Sequence, residues 1–348
     1  MKLLSLTIAK VDSTSFYRAN GVFGDLQRQM PYLNITSMDM KDLRDMNWSD
    51  LNLYDVIFMQ RPYSGMNFQM ARFVKDMNIP LWIDFDDNLF EIPADNQAFD
   101  MFSQPSIRKN IEEVSKLADI ITVSTAALGE VFKEFNPNVM VIPNALNTKI
   151  LKPRPKKQNN TVLWRGSNTH QVDIANYFDQ IYDVQTEYTN FDFIYFGYNP
   201  WIIPQTANKK YLKATDPILY FQQINRLAPK IMQVPLVDSH FNRCKSNIAY
   251  LEGTYAGAVC LVPDWPEWNL PGTVRYKSRE EYGEKLKLLL NGGISFNKYN
   301  REAWEYIMQT RTLEIVNQQR ADLLKLIIET NGNLVNKPFS KTVNEIVK

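Results

Sequence analysis

The sequence predicts an α/β protein made of two doubly wound parallel-sheet domains that face each other across a cleft. Three observations carry this reading. Short apolar runs alternate with segments of helical period along the whole chain. At 348 residues the chain exceeds what one ordinary core covers. The alternation also stops once, at 152–160 (KPRPKKQNN), where two prolines and four basic residues stand with no other apolar side chain, and then restarts. The expected organisation is therefore a first domain over 1–151, a linker at 152–160, a second domain over 161–305, and a terminal helical segment, 306–348, returning toward the first domain.

In order, the first half reads as a strand at Leu3–Ala9, a helix at Phe16–Gln29 and strands at Asn34–Met38 and Tyr54–Gln60. A helix at Ser64–Met77 and a strand at Ile79–Phe85 follow, then a helix at Ile107–Leu117, a strand at Ile120–Ser124, a helix at Ala126–Phe135 and a strand at Val139–Ile142. The second half reads as a strand at Thr161–Trp164, a helix at Val172–Thr186, a strand at Phe191–Phe196, a helix at Ile218–Leu227 and a strand at Ile231–Leu236. After it come a polar loop, a helix, a glycine stop and a second apolar strand within 237–263, and then helices at Glu280–Leu290 and Arg301–Ile328. Lys10 and Asp12 interrupt the opening apolar run, so it is read as a buried strand and not as a leader peptide.

Charge is unevenly distributed. Residues 1–150 hold 14 Lys+Arg against 19 Asp+Glu, a balance of −5, whereas residues 151–348 hold 25 against 19, or +6. A positive second half suits an anionic ligand there. The two cysteines, Cys244 and Cys260, exclude a disulfide framework and a cysteine-rich metal site, and they fit a cytoplasmic setting. No apolar run approaches the roughly 20 residues that span a bilayer.

The polar clusters that carry chemistry all follow predicted strands, where doubly wound sheets hold their ligands. Arg243-Cys244-Lys245-Ser246 gathers N–H groups, a lysine and a hydroxyl at a helix start, an anion site suited to phosphate. Glu252 lies about two turns further on and can accept hydrogen bonds from whatever sits above the phosphates. Arg165-Gly166-Ser167 ends another strand. Gly166 permits close backbone approach and Arg165 can neutralise a leaving diphosphate; the plain alternative is a turn with a surface arginine. His170 and His240, the only histidines, stand beside these loops; either can contact phosphate, His170 being the donor-side candidate, and a merely solvent-facing ring is the plain alternative. Asp84-Phe85-Asp86-Asp87 has the D-x-D form, read as acceptor binding or a general base from Asp84 and Asp86, with Asp87 on the acceptor side and loop capping as the alternative. Asp12, Ser13 and Ser15, with Tyr17 and Arg18, follow the first strand without the paired glycines of a dinucleotide fingerprint, so they too are placed on the acceptor side and no nicotinamide cofactor is expected. Tyr198 and Trp201, in a loop, are open to base stacking.

Four passages also resemble a known family: IDFDDNLFEIP at 83–93, TVSTAALGEVFKEFNPNVMVIPNALN at 122–147, VLWRGSNTHQVDI at 162–174 and VDSHFNRCKSNIAYLEGTYAGAVCLVP at 237–263. Together they resemble a GT-B glycosyltransferase of the family 4 (group 1) type, with two Rossmann-like domains. That resemblance implies transfer of a hexosyl or pentosyl group from a nucleoside-diphosphate sugar, UDP-linked, to an acceptor hydroxyl, with retention and without a metal or cofactor. In such enzymes the second carboxylate of an E-x7-E motif holds the nucleotide ribose, which maps onto Glu252. The first would be Cys244, a departure that touches the sugar contacts, while Asn242, Lys245 and Ser246 match a variant that places them near the phosphates, with Asn247 a further donor-side candidate. The acceptor is a saccharide or glycan on one reading and a hydroxymethylated base of phage DNA on another, in which case the setting is the host cytoplasm and Lys152–Lys157 the basic strip. A binding protein for nucleotide sugars without turnover is the alternative from another class.

Overall fold

The structure, a computed structural model, describes residues 1–9 and 12–332. The first half runs β1 (Lys2–Thr7), α1 (Ser13–Arg18), α2 (Asn20–Gln29), β2 (Asn34–Asp39), β3 (Val56–Gln60), α3 (Gly65–Asp76) and β4 (Leu81–Phe85). It continues through α4 (Phe99–Phe102), α5 (Pro105–Leu117), β5 (Ile120–Val123), α6 (Ala126–Lys133) and β6 (Val139–Val141). These strands form one six-stranded, all-parallel sheet in the order β2-β1-β3-β4-β5-β6.

The second half runs β7 (Asn159–Gly166), α7 (Gln171–Asn176), α8 (Phe178–Glu187), β8 (Asp192–Gly197), β9 (Lys209–Lys213), α9 (Pro217–Leu227) and β10 (Pro229–Gln233). Then come α10 (His240–Arg243), α11 (Ile248–Tyr255), β11 (Val259–Pro263), β12 (Thr273–Tyr276), α12 (Arg279–Leu290), α13 (Phe296–Thr310) and α14 (Leu313–Thr330). Its sheet is also six-stranded and parallel, in the order β12-β11-β10-β7-β8-β9. The architecture is thus two doubly wound α/β units. In each, strand order reverses beside the first strand, between β1 and β3 and between β7 and β10. A crevice opens outside the carboxyl ends of the strands at such a reversal.

Both sheets are buried on both faces, which explains their continuously apolar strands. Leu4, Leu6, Ile57 and Ile83 point to one face of the first sheet with α3 and α5, and Leu3, Phe58 and Trp82 to the other with α2 and α14. The second sheet divides likewise, with Leu163, Met232 and Cys260 facing α9, α11 and α13, and Val162, Ile231 and Leu261 facing α8 and α12. Helix α11 lies so close to its sheet that a Cβ on Gly253 would stand 2.8 Å from both Met232 Cβ and Cys260 Sγ.

Three expected helices are each two. The segment 16–29 breaks at Ala19, and 172–186 breaks at Tyr177. The long terminal helix breaks at Arg311 and Thr312, where the Leu146 N–H donates to Arg311 O (2.9 Å) and Leu146 O accepts from Leu313 N (2.7 Å). At that point the chain leaves the second sheet, and α14 packs on α2 of the first half, with Asn317 donating to Val22 O (3.0 Å). The expected helical segment at 306–348 falls partly outside the described residues, from 333 onward. Strands β9 and β12 were not expected from the sequence: one is a polar edge strand (KKYLK), the other only four residues long.

Candidate functional site

A cavity of about 1000 Å³ lies between the two halves, lined from both. Its walls are the loops at the two strand-order reversals. Asp12, Ser13 and Thr14 follow β1 and Arg61 follows β3, while Arg165 and Gly166 end β7 and Gln233 ends β10. Asp86, Asp87, Ser167, His170, Lys245, Ser246, Tyr17 and Glu252 also line it.

Glu252, only 4% exposed, is the hub on the second-half wall. Its Oε1 accepts from the Tyr17 hydroxyl (2.7 Å), across the cleft, and its Oε2 from the Tyr220 hydroxyl (2.9 Å). Arg165 Nε lies 2.8 Å from Oε2 as an ion pair, with its N–H not aimed along the contact. Burial, reinforced by the Glu252 charge, holds both phenols well above their ordinary range, so they remain donors.

Lys245 projects from the turn between α10 and α11, its Nζ 4.5 Å from the centre of the Phe241 ring and 3.8 Å from Asp87 Oδ1. Opposite it, Arg61 sits in the left-handed region (φ 48°) and bridges two carboxylates, Nε to Asp86 Oδ1 and Nη2 to Asp87 Oδ2 (2.6 Å). Burial works against ionisation of Asp87, but Lys245 and Arg61 outweigh it and pull the carboxyl down to about 2. For Asp86 burial prevails over Arg61, with the Asp87 charge adding to it, and the carboxyl rises above its ordinary range. His170 Nδ1 is 2.9 Å from Asp173 Oδ2, and burial, then Lys245, lower its basicity, so the ring is neutral near pH 7.

Several residues expected at the site serve the scaffold instead. Asp84 and Arg18 form a buried two-point ion pair (2.9 and 2.6 Å), 2% and 1% exposed, and neither lines the cavity. Asp84 also accepts from Thr122 (2.6 Å), and Arg18 also donates to Ile142 O and Asn144. With its oxygens engaged behind the wall, Asp84 is not placed for catalysis, nor Arg18 for contact with an acceptor. Ser15 is fully buried and donates to Gln60 (2.9 Å). Asn242 holds the loop before α11 by donating to Asp173 (2.8 Å) and Val237 O (2.9 Å), and Asn247 donates to Glu267 O (3.2 Å). Cys244 turns away from the cavity into the first-half core, where Thr125 donates to its carbonyl (2.9 Å) and Asn88 approaches its sulfur at 4.0 Å. Burial pushes that thiol up to about 11. Gly166 is required by its own neighbours: a Cβ there would meet the Trp164 ring at 2.7 Å. Trp201 is 71% exposed and does not line the cavity, whereas Tyr198 does, its hydroxyl bound to Gln171.

Sequence reasoning missed Arg61, Asp173, Tyr220, Gln233 and Trp268. Gln233 could have been found, since it is the one polar residue within the strand expected at Ile231–Leu236. Its Oε1 accepts from the Tyr282 hydroxyl, its Nε2 has no partner, and the side chain is 1% exposed and lines the cavity. Trp268 Nε1 is likewise buried, unpartnered and in the lining residue set. Both N–H groups are closed off from the cavity although their residues line it.

No protein-family model matches the chain, and no curated protein sequence matches it. Solved structures do. Sucrose-phosphate synthase from Thermosynechococcus elongatus superposes with a TM-score of 0.67 at 9% identity, over 95% of this chain and 100% of that one. A UDP-forming α,α-trehalose-phosphate synthase from Burkholderia vietnamiensis gives 0.61 at 9%, over 94% and 100%. The UDP-GlcNAc 2-epimerase of Neisseria meningitidis, solved with UDP-GlcNAc, gives 0.53 at 13%, over 93% and 99%. The chain therefore has the GT-B fold, two Rossmann-like domains facing a cleft. Among the described residues no helix is long and apolar enough to cross a membrane, and no group of His, Cys, Asp and Glu is arranged to hold a metal ion.

Proposed function

We propose that the chain is a glycosyltransferase, moving a sugar from a nucleoside diphosphate, UDP in the first instance, to an acceptor hydroxyl. The observation that carries this is the second-half wall, where Arg165 and Lys245 line one cavity. Two cations on one wall suit an anion rich in acceptor oxygens, and a diphosphate is such a ligand. The two named neighbours that make sugar phosphates share this fold and support the same reading.

In the reaction, negative charge grows on the diphosphate as the glycosidic bond lengthens. Arg165 and Lys245 stabilise that charge more in the transition state than in the ground state, which is what accelerates the step. With two cations in this role the transfer runs without a divalent ion, and chelator leaves the rate unchanged. Asp86 and Asp87 stand on the opposite wall, where an acceptor hydroxyl enters. Retention is favoured because Arg61 already engages both carboxylates, which leaves the departing phosphate oxygen as the base for the acceptor proton. An NMR assignment of the product's anomeric configuration tests this directly.

The decisive experiment is incubation with several nucleotide sugars, with mass analysis of nucleotide, sugar and product. Release of nucleotide with a glycosylated product is expected, and Lys245→Ala should lower the rate roughly 100-fold or more with the fold retained. An epimerised sugar without transfer, as the shared fold allows, or tight binding without turnover, would overturn the reading. A DNA acceptor has less support: in the 152–157 strip, Arg154 is committed to the carbonyls of Thr254 and Tyr255, to Asn300, and to the face of Trp304.

A further inference from the structure

The two walls of the cavity differ in character, and the difference bears on the acceptor. The first-half wall carries three carboxylates, Asp12, Asp86 and Asp87, against one guanidinium, Arg61. That guanidinium is spent on two of them. Lys245, reaching from the other wall, has Asp87 as its nearest carboxylate at 3.8 Å, and Arg165 is paired with Glu252. Asp87 is held ionised by these cations, and the third carboxylate, Asp12, caps α1 by accepting from Ser15 N (2.7 Å). On this wall three carboxyl groups stand against one guanidinium, so an anion resting there meets an excess of negative charge.

Next to the acidic patch the lining turns apolar. Leu89, Ile92, Ala98 and Phe102, all within the segment joining β4 to α5, line the cavity as an apolar shelf with Asn96 as its polar member. Leu89 and Phe102 are anchored in the first-half core, and Tyr63 packs edge-on against Phe102 with ring centres 5.4 Å apart. A shelf fixed in this way is preformed, and water against it is displaced favourably by an apolar group.

We propose that the acceptor is an uncharged hydroxyl compound with an apolar portion, such as a glycoside with a hydrophobic aglycone, and that phosphorylated sugars and polyanions are rejected. The proposal rests on the glycosyl-transfer reading for its placement of donor and acceptor. The hydroxyl to be glycosylated faces Asp86 and Asp87, and the apolar portion covers the Leu89–Phe102 shelf. Selection then has two parts: electrostatic exclusion by the carboxylates and desolvation of the shelf.

The test is calorimetric binding of octyl β-glucoside (below its micellar concentration), glucose and glucose 6-phosphate to the full chain, each with and without UDP. Octyl glucoside should bind at least tenfold more tightly than glucose, and glucose 6-phosphate at least threefold more weakly. Ile92→Asp, at a half-buried position on the shelf, should erase the octyl advantage while UDP affinity stays unchanged. Equal affinity for glucose and its octyl glycoside, an octyl advantage that survives Ile92→Asp, glucose 6-phosphate binding as well as glucose, or no binding of any of the three at millimolar concentration would each overturn the proposal. Release of nucleotide from a nucleotide sugar is followed in parallel. Its absence counts against glycosyl transfer, while the binding order still decides the chemistry of the acceptor wall.

Discussion

Cys244 and Asp87 show how far a single side chain departs from its motif. By spacing, Cys244 stands where a sugar-orienting glutamate is expected, eight residues before Glu252. Cys244 lies between α10, which ends at Arg243, and α11, which starts at Ile248, and its side chain enters the first-half core while Glu252 lines the cavity. Cys244→Glu should therefore supply no sugar contact. It should bury a carboxylate in the first-half core and cost about 3 kcal/mol or more, read from urea denaturation; a variant as stable as the parent would refute the placement. Asp87 gives a pH signature. Its folded value, about 2, lies below the ordinary 3.8, so its ion pairs stabilise the fold fully above pH 4, and that contribution is lost as pH falls through 2. Asp87→Asn should accordingly lower the melting temperature at pH 7 and make little difference near pH 2, by calorimetry at both pH values.

Among the elements, the turn after β11 and the break before α14 matter most. Glu267 lies in that turn, in a short helical turn at 266–268, and burial pushes its carboxyl up to about 7 against Arg311 and the Asn247 backbone. Between the ordinary 4.5 and 7 the unfolded chain ionises while the folded one stays protonated, so stability falls as pH rises. Glu267→Gln should be neutral below pH 4 and stabilising at pH 8, and a stabilisation independent of pH would contradict the assignment. The strands and most helices were legible because their apolar spacing is local. The breaks at Ala19, Tyr177 and Arg311–Thr312 were not, since none carries a proline or glycine at the break itself and the last is fixed by backbone bonds to Leu146, more than 160 residues earlier in the chain.

For the molecule as a whole, the two halves are pinned by exchange. Tyr17 of the first half lies in the second-half core, and Cys244 of the second half lies in the first-half core. Asn144 donating to Ser246 (2.8 Å) and Asn168 donating to Gln97 (2.6 Å) tie the rims of the cleft. A ligand that spans such a closed cleft stabilises both halves at once. UDP at 100 times its dissociation constant should raise stability by about 2.7 kcal/mol in one cooperative transition, measured by scanning calorimetry. Two transitions, with only one moved by UDP, would show that the halves unfold independently.

The sequence by itself determined the alternation of strands and helices, the two-unit architecture, and the fact that polar clusters gather after strands. All of these follow from local spacing and from the parallel topology that such spacing imposes. Within those clusters it could not decide which side chains face the cleft. Asp84 and Asp86 are two residues apart, yet one closes a buried ion pair with Arg18 and the other faces the cavity, because the strand ends between them at Phe85. Tertiary structure alone decided that Lys245 and Arg165 line one cavity, that Glu252 is held by Tyr17 from the other half, and that Cys244 turns away. Each of these contacts joins residues far apart in the chain, and only the packing of the two sheets brings them together.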